Sequence, residues 1–210
     1  MKHDKLYFEY FASICIKDTI NKKFKKIAHS DAPDLKIGKE CGIEVTQLGD
    51  QEEFLMLSIV DKKKSGEYIA HKDYVKTENY MLTEDNMIIR KNGFCDENIW
   101  NTIQGKINKL QNGNYNGFDE YGLFMFLTET TDTVSPQNII DIFKKQDKNK
   151  KYYRYIFICC GTDFYFYDVN TKKIEYYNIA LKIKKYRNYA FNKQREEKKK
   201  NIIRKQKEPK

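Results

Sequence analysis

The sequence predicts an α/β domain built around a mixed β-sheet. Segments whose apolar residues recur at helical spacing alternate with short apolar runs of strand length, in the order helix, strand, strand, helix, helix, strand, helix, strand. The chain has 210 residues, of which 40% are apolar, and this is enough for a sizeable core. We therefore expect one folded domain over residues 1–181 and a basic helical tail over residues 182–210.

The first half of the chain begins with a predicted helix from Lys5 to about Ile27, whose apolar residues nearly encircle its first turns. A hairpin with strands over residues 35–37 and 41–47 follows, and Gly38 and Gly42 suit a tight connection. Beyond the hairpin, the expected elements are an amphipathic helix over residues 51–62, an irregular polar insertion over residues 63–79, and a strand or loop over residues 80–91.

The second half of the chain has clearer boundaries. Asp96 is a good N-cap for a helix to about Gln111, and Ser135-Pro136 opens another helix to about Lys145. The remaining expected elements are a buried strand over residues 121–128, strands over residues 153–160, 163–169 and 173–179, and a charged helix from about residue 181.

The net charge of +9 is concentrated at the C-terminal end. Residues 182–210 contain 13 basic and 3 acidic side chains, whereas residues 1–181 contain 26 and 27. A basic tail lends non-specific, salt-sensitive affinity for nucleic acid, although a plain solvated helix end has the same composition. We name Lys184, Lys185 and Arg187 as candidate nucleic-acid contacts.

Several functional classes find no support in the sequence. The 5 cysteines and 3 histidines show neither zinc-site spacing nor a disulfide framework, so a reducing cytoplasm is the expected compartment. Neither a signal peptide nor a run of about twenty apolar residues occurs, so no membrane association is expected. The motifs of P-loop, dinucleotide-binding, serine-hydrolase and zincin sites are missing. Adjacent Cys159 and Cys160 should point to opposite faces of a strand, which argues against a shared redox role.

Two carboxylates within residues 32–47 carry the most chemical information. Asp34 follows Pro33 at the start of the hairpin, and Glu44 lies between Ile43 and Val45 in its second strand. An unpaired carboxylate is costly in such an apolar strand, and two neighbouring carboxylates repel each other unless a cation lies between them. Hard oxygen ligands suit Mg2+ or Mn2+, which polarise a phosphodiester and activate water. The simpler alternative is a turn aspartate and a solvent-facing glutamate.

This pattern of Pro-Asp, a short gap and an apolar-Glu-apolar triplet resembles the PD-(D/E)xK nuclease superfamily, also called the restriction-endonuclease-like fold. The helix–strand–strand start, followed by helix and strand, is similar to the core of that family over roughly residues 5–128. The resemblance implies a restriction-endonuclease-like α/β domain in which Asp34 and Glu44 bind the metal ion.

The catalytic lysine is the point at which the sequence departs from the family pattern. In that family a lysine two positions after the second acid orients the attacking water, and Thr46 occupies this position here. Some members carry the lysine on a neighbouring helix instead. Lys106 is our candidate, because it lies at the edge of the apolar stripe of the helix that begins at Asp96, whereas Lys109 is expected in solvent.

Four residues are accessory candidates. Glu9 and Asp18 lie on the first helix, which in similar folds sometimes contributes an extra acid, and Thr46 and Gln47 follow Glu44. An ordinary helix-surface charge or strand-end residue is the alternative for each. His29, just before the hairpin, is either a proton donor or a loop histidine without a role.

We therefore expect a Mg2+- or Mn2+-dependent endonuclease or exonuclease with catalytic residues Asp34, Glu44 and Lys106. DNA is the expected substrate because similar families mostly act on DNA, and a role in restriction, repair or mobile-element defence would fit. The alternative is a catalytically inactive nucleic-acid-binding protein on the same scaffold, which Thr46 favours, and a protein–protein interaction module is a third option. Many enzymes with this kind of site are homodimers, and a homodimer is therefore a possible oligomeric state here. The sequence itself identifies no dimer interface.

Overall fold

A computed structural model describes residues 5–20, 22–49, 80–82, 88–90, 96–113, 117–128 and 130–207. The helix predicted over residues 51–62 and the insertion predicted over residues 63–79 lie outside these ranges. In chain order, the described elements are α1 (Lys5–Thr19), β1 (Ala28–His29), β2 (Leu35–Ile37), β3 (Cys41–Leu48), β4 (Tyr80–Leu82), β5 (Ile88–Arg90), α2 (Asp96–Gln111), β6 (Glu120–Leu127), α3 (Pro136–Lys144), β7 (Tyr155–Cys160), β8 (Asp163–Asp168), β9 (Lys173–Asn178) and α4 (Ala180–Lys207).

A mixed sheet of seven strands organises the described part of the chain, in the order β1-β2-β3-β6-β7-β8-β9. The central pairs β3–β6 and β6–β7 are parallel, and the strands on either side are antiparallel. β4 and β5 form a separate two-stranded antiparallel sheet, within the region for which the sequence allowed either strand or loop. The predicted α/β class with a mixed sheet is confirmed.

Helices cover both faces of the sheet and produce two hydrophobic clusters. One cluster lies between the sheet and helices α1 and α4, and the other between the sheet and helices α2 and α3. Because side chains alternate along a strand, Ile43 and Val45 of β3 belong to the first cluster and Leu48 belongs to the second. Likewise, Cys159 of β7 lies in the first cluster and Cys160 packs against the second, which confirms that the adjacent thiols point apart.

The first helix is shorter than predicted. α1 ends at Thr19, whose hydroxyl donates a hydrogen bond to the carbonyl of Cys15, and a 3₁₀ turn follows over Lys22–Lys26. An α-helix through this lysine-rich segment would place like charges three and four residues apart, which is unfavourable. The 3₁₀ turn also carries Phe24 into the core, where it is 1% exposed. The 3₁₀ turn therefore replaces the predicted end of the helix, and strand β1, which is too short to leave a sequence pattern, follows it.

Most other predicted elements are confirmed to within two residues at each end. α2 runs from Asp96 to Gln111, as predicted. α3 begins after Ser135, whose hydroxyl accepts a hydrogen bond from the backbone nitrogen of Asn138 at 3.1 Å. Ser135 is therefore the N-cap, with Pro136 in the first turn, as this dipeptide indicates.

The basic C-terminal segment is a helix that packs along α1. α4 buries Tyr186 and Ala190 completely, and Gln194 is 7% exposed. The Tyr186 hydroxyl donates a hydrogen bond to Oδ2 of Asp18 at 2.8 Å. Part of the predicted tail therefore belongs to the core of the folded body. Neither α4 nor any other helix among the described residues has the length and apolar character needed to cross a membrane.

Acid is expected to weaken the contact between α1 and α4 through Asp18. The hydrogen bond from Tyr186 outweighs the desolvation of the carboxyl and, with the nearby ammonium groups of Lys182 and Lys185, lowers the pKa of Asp18 below its ordinary value. A carboxyl with a lowered folded-state pKa contributes stability above its unfolded pKa of about 4, and this stability is lost as the pH falls through the folded pKa.

Urea unfolding as a function of pH tests this expectation. We expect the Asp18→Asn protein to be less stable than wild type by about 1 kcal/mol at pH 7. The difference should shrink as the pH falls below about 4, because the wild-type carboxyl then becomes protonated. A difference that stays constant down to about pH 2 would contradict the assigned role of Asp18.

Candidate functional site

The hairpin of β2 and β3 carries both predicted carboxylates. Leu35 pairs with Ile43 in this antiparallel ladder, Asp34 directly precedes β2, and Glu44 directly follows Ile43 in β3. Oδ2 of Asp34 also accepts a hydrogen bond from the backbone nitrogen of Val45 at 2.8 Å. The carboxylate of Asp34 therefore contacts the backbone of the residue that follows Glu44 on the neighbouring strand.

Both carboxylates are buried, and a glycine allows the close approach that buries them. Asp34 is 2% exposed and Glu44 is 7% exposed. Gly42 lies within β3, and a Cβ atom there would be 2.5 Å from Cγ of Pro33 and 3.1 Å from the ring of Phe118. Only glycine therefore lets the segment that precedes Asp34 pack directly against β3.

Lys106 of α2 reaches the second carboxylate. Its Nζ atom donates a hydrogen bond to Oε1 of Glu44 at 2.6 Å, and its side chain is 20% exposed. The helix turns Ile103 and Ile107 into the core beside Lys106, and Lys109 is exposed. The lysine that the helical spacing placed at the edge of the apolar stripe is thus the one that contacts Glu44.

Lys5, at the first turn of α1, contacts the first carboxylate. Its Nζ atom contacts Oδ1 of Asp34 and lies 3.6 Å from Oε1 of Glu9, although the side chain is 66% exposed. Partial burial alone would lower the pKa of Lys5. The hydrogen bond to Asp34 and the charges of Asp34, Glu9 and Glu44 outweigh this effect and raise the pKa above its ordinary value. Lys5 is therefore a positively charged partner of the acids at neutral pH.

Glu9 and His29 extend the site into a cavity beside α1. Oε2 of Glu9, which is 6% exposed as a residue, lies 3.5 Å from Nδ1 of His29. The His29 ring packs on Tyr10 with 3.9 Å between centroids, and neither buried ring nitrogen has a hydrogen-bond partner within the described ranges. The cavity has a volume of about 670 Å³ and is lined by Lys5, Leu6, Glu9, Tyr10, His29, Ser30, Asp31, Lys36 and Glu197.

The other candidates divide into two groups. Thr46, which is 9% exposed, shares a strand face with Glu44, and Gln47 is half-buried on the same strand. Asp18 is engaged elsewhere, with Nζ of Lys182 and Lys185 at 3.2 and 3.5 Å. The candidate nucleic-acid contacts Lys184, Lys185 and Arg187 are exposed on α4.

The donor set of Asp34 and Glu44 fits a hard divalent cation. Mg2+ commonly binds through one or two carboxylates and keeps water or substrate phosphate as its other ligands. No group of three or more His, Cys, Asp or Glu side chains among the described residues is arranged to hold a metal ion. The Lys5 ammonium group contacts Asp34 and so already places one positive charge beside this carboxylate. Because Lys5 is mostly exposed, a metal ion could displace it at little cost.

Sequence reasoning missed Lys5 as a member of the site. The signal available was its spacing of four residues from Glu9, which places both side chains on one face of a helix. That spacing reveals a surface pair, but only the fold shows that the pair lies beside Asp34.

Comparisons with family models, with curated proteins and with solved structures found no match to this chain.

Proposed function

We propose that the protein is a metal-dependent nuclease in which Asp34 and Glu44 hold a Mg2+ or Mn2+ ion. The observation that carries the proposal is that one hairpin holds these two buried acids, with Asp34 hydrogen-bonded to the backbone nitrogen of Val45 and Nζ of Lys106 2.6 Å from Glu44. Burying two carboxylates side by side destabilises a fold unless cations compensate them. Such an arrangement is typical of sites with a chemical role.

The order of the elements supports a restriction-endonuclease-like core. Helix α1 precedes the hairpin of β2 and β3, helix α2 follows, and β6 pairs in parallel with β3. This order is similar to the helix–strand–strand–helix–strand start of the PD-(D/E)xK superfamily. In this proposal, the two acids and Lys106 correspond to the family's two metal ligands and its relocated lysine.

The side chains of the site have distinct roles in this proposal. A bound ion would supply Lewis-acid polarisation of the scissile phosphate and lower the pKa of a water molecule. Asp34 and Glu44 hold the ion, and the hydrogen bond from Val45 fixes the orientation of Asp34. Lys106 holds a positive charge beside Glu44, where it stabilises negative charge developing on the phosphate or orients the attacking water.

Isothermal calorimetry with Mg2+ and Mn2+, combined with plasmid nicking on the same samples, tests the proposal. We expect wild type to bind the metal and to nick DNA, and Asp34→Asn to bind it more weakly. Lys106→Met should retain metal binding and lose nicking by about a hundredfold or more, because only the positive charge is removed. A folded wild-type protein that binds neither ion would exclude the nuclease.

A nucleic-acid-binding protein without catalytic activity is the second candidate. It is favoured by Thr46 at the usual lysine position and by the fact that Asp34 and Glu44 each already have a lysine partner. Its behaviour would differ from that of a nuclease in one respect: no metal ion would induce nicking.

A further inference from the structure

The basic residues of α4 fall into two groups with different partners. Lys182 and Lys185 lie 3.2 and 3.5 Å from the carboxylate of Asp18 and so help to attach α4 to α1. Lys184 and Arg187 are exposed, and within the part of the chain that the structure describes neither has an ion-pair partner. The second group is therefore available to a ligand.

These two residues continue into an exposed stripe along α4. The spacing of Lys184, Arg187, Phe191 and Arg195 by three, four and four residues places them on one side of the helix. Each follows a member of the core-facing row Ile183, Tyr186, Ala190 and Gln194 by one position. The stripe therefore runs beside the buried row, about 100° around the helix.

Phe191 gives the stripe an aromatic centre. Its side chain is 41% exposed, which is unusual for a phenylalanine, and the Arg195 guanidinium lies 5.5 Å from the centre of its ring. Residues 180–195 contain no acidic side chain. The next two residues with acidic side chains already have ion-pair partners. Oε2 of Glu196 lies 2.7 Å from Nζ of Lys193, and Oε1 of Glu197 lies 2.8 Å from Nζ of Lys200.

We propose that Lys184, Arg187, Phe191 and Arg195 form a contact surface for an unpaired segment of DNA. Uncompensated cations on both sides of an exposed ring match a chain of phosphates with a base between them, and every base has a face on which an aromatic side chain can stack. A duplex hides those faces, so the ring selects an unpaired strand. The identity of the ligand as DNA rests on the proposed nuclease function.

The C-terminal end of the stripe lies at the same level along α4 as the cavity of the candidate site. Glu197, two residues beyond Arg195 and about 160° around α4 from it, lines the cavity that also contains Lys5 and Glu9. Lys5 in turn contacts Asp34. A strand bound along the stripe would have to cross α4 to reach the cavity next to the hairpin carboxylates.

Fluorescence anisotropy of the full chain tests this surface, with a labelled single-stranded oligodeoxythymidine and a hairpin duplex as probes. All titrations contain EDTA, so binding is measured without metal and a failed nuclease proposal leaves this readout unaffected. We expect Phe191→Leu to weaken single-strand binding by about tenfold and to leave duplex binding unchanged. Lys184→Glu/Arg187→Glu should reduce the dependence of log K on log salt by about 0.7 for each lost phosphate contact.

Lys145→Glu/Lys150→Glu is the matched control, because it makes the same change in charge at two exposed positions. These positions lie at the end of α3 and in the following turn, on the face of the sheet opposite to α4. It should bind the single strand much more tightly than Lys184→Glu/Arg187→Glu does. Equal losses in both double variants, or no loss in Phe191→Leu, would overturn the proposal. Tighter binding of an RNA strand of equal length through the same residues would overturn the assignment to DNA. Competition by polyglutamate as effective as that by DNA would show instead a surface for acidic protein.

Discussion

Replacing Glu44 by glutamine is expected to decrease metal-dependent nicking by about two to three orders of magnitude. Glutamine keeps the size of the side chain in its 7% exposed position but removes the charge that would hold the ion. The same change removes the charge partner of Lys106, 2.6 Å away, so the lysine is no longer fixed in place. Rates should be measured at several concentrations of Mg2+ and Mn2+, because a weakened site would be partly rescued by excess metal.

Glu120→Gln is the control for a general effect of losing a charged carboxylate. Glu120 is also ion-paired, with Nζ of Lys23 at 2.5 Å and with Arg154, but it lies at the first residue of β6, opposite Cys41 in the register with β3. Its removal should leave nicking within about a factor of two of wild type, while lowering stability. Equal losses of activity in both variants would remove the argument for a special role of Glu44.

A double variant separates the chemistry of Glu44 from its effect on folding. Glu44→Gln alone leaves Lys106 as an uncompensated charge that is only 20% exposed, and is expected to lower the free energy of unfolding by about 1–3 kcal/mol. Glu44→Gln/Lys106→Met removes both charges and should recover most of that stability. If nicking returned together with stability, the pair would be structural.

Replacing Phe157 by alanine is expected to lower the free energy of unfolding by about 3–5 kcal/mol. Phe157 is completely buried at the centre of β7, where its ring lies 5.2 Å from that of Phe166 and 5.5 Å from that of Phe24. Alanine would leave a cavity between the sheet and the 3₁₀ turn that the rigid strands cannot close. Urea unfolding, followed by circular dichroism, measures the change.

Leu181→Ala is the matched control for truncation of an apolar side chain. Leu181 is 100% exposed at the start of α4, so its loss should change the free energy of unfolding by less than about 0.5 kcal/mol. A loss below about 1 kcal/mol in Phe157→Ala would mean that the cluster around Phe24 is not tightly packed.

The parts of this fold that could be predicted have local causes. The bounds of α2, Asp96 and Gln111, are predictable because an aspartate typical of a helix start, a helical apolar row and a glycine turn lie in one continuous stretch. The same row placed Lys106 at the edge of the core. Strands β6 and β7 are equally clear, because buried strands are continuously apolar. The end of α1 was misplaced, because the apolar spacing alone carried no information on repulsion among the lysines of residues 22–26.

The sequence by itself determined that Asp34 and Glu44 would share a hairpin, because a short connection and strict alternation leave one register that keeps Ile43 and Val45 in the core. Tertiary structure alone decided which side chains from distant parts of the chain contact these acids. Lys106 contacts Glu44 across 62 residues of sequence. In the same way, Tyr186 contacts Asp18 across 168 residues. Such contacts depend on the order of strands and on which helix covers which face. Those choices follow from the packing of the whole domain and leave no trace in the spacing of neighbouring residues.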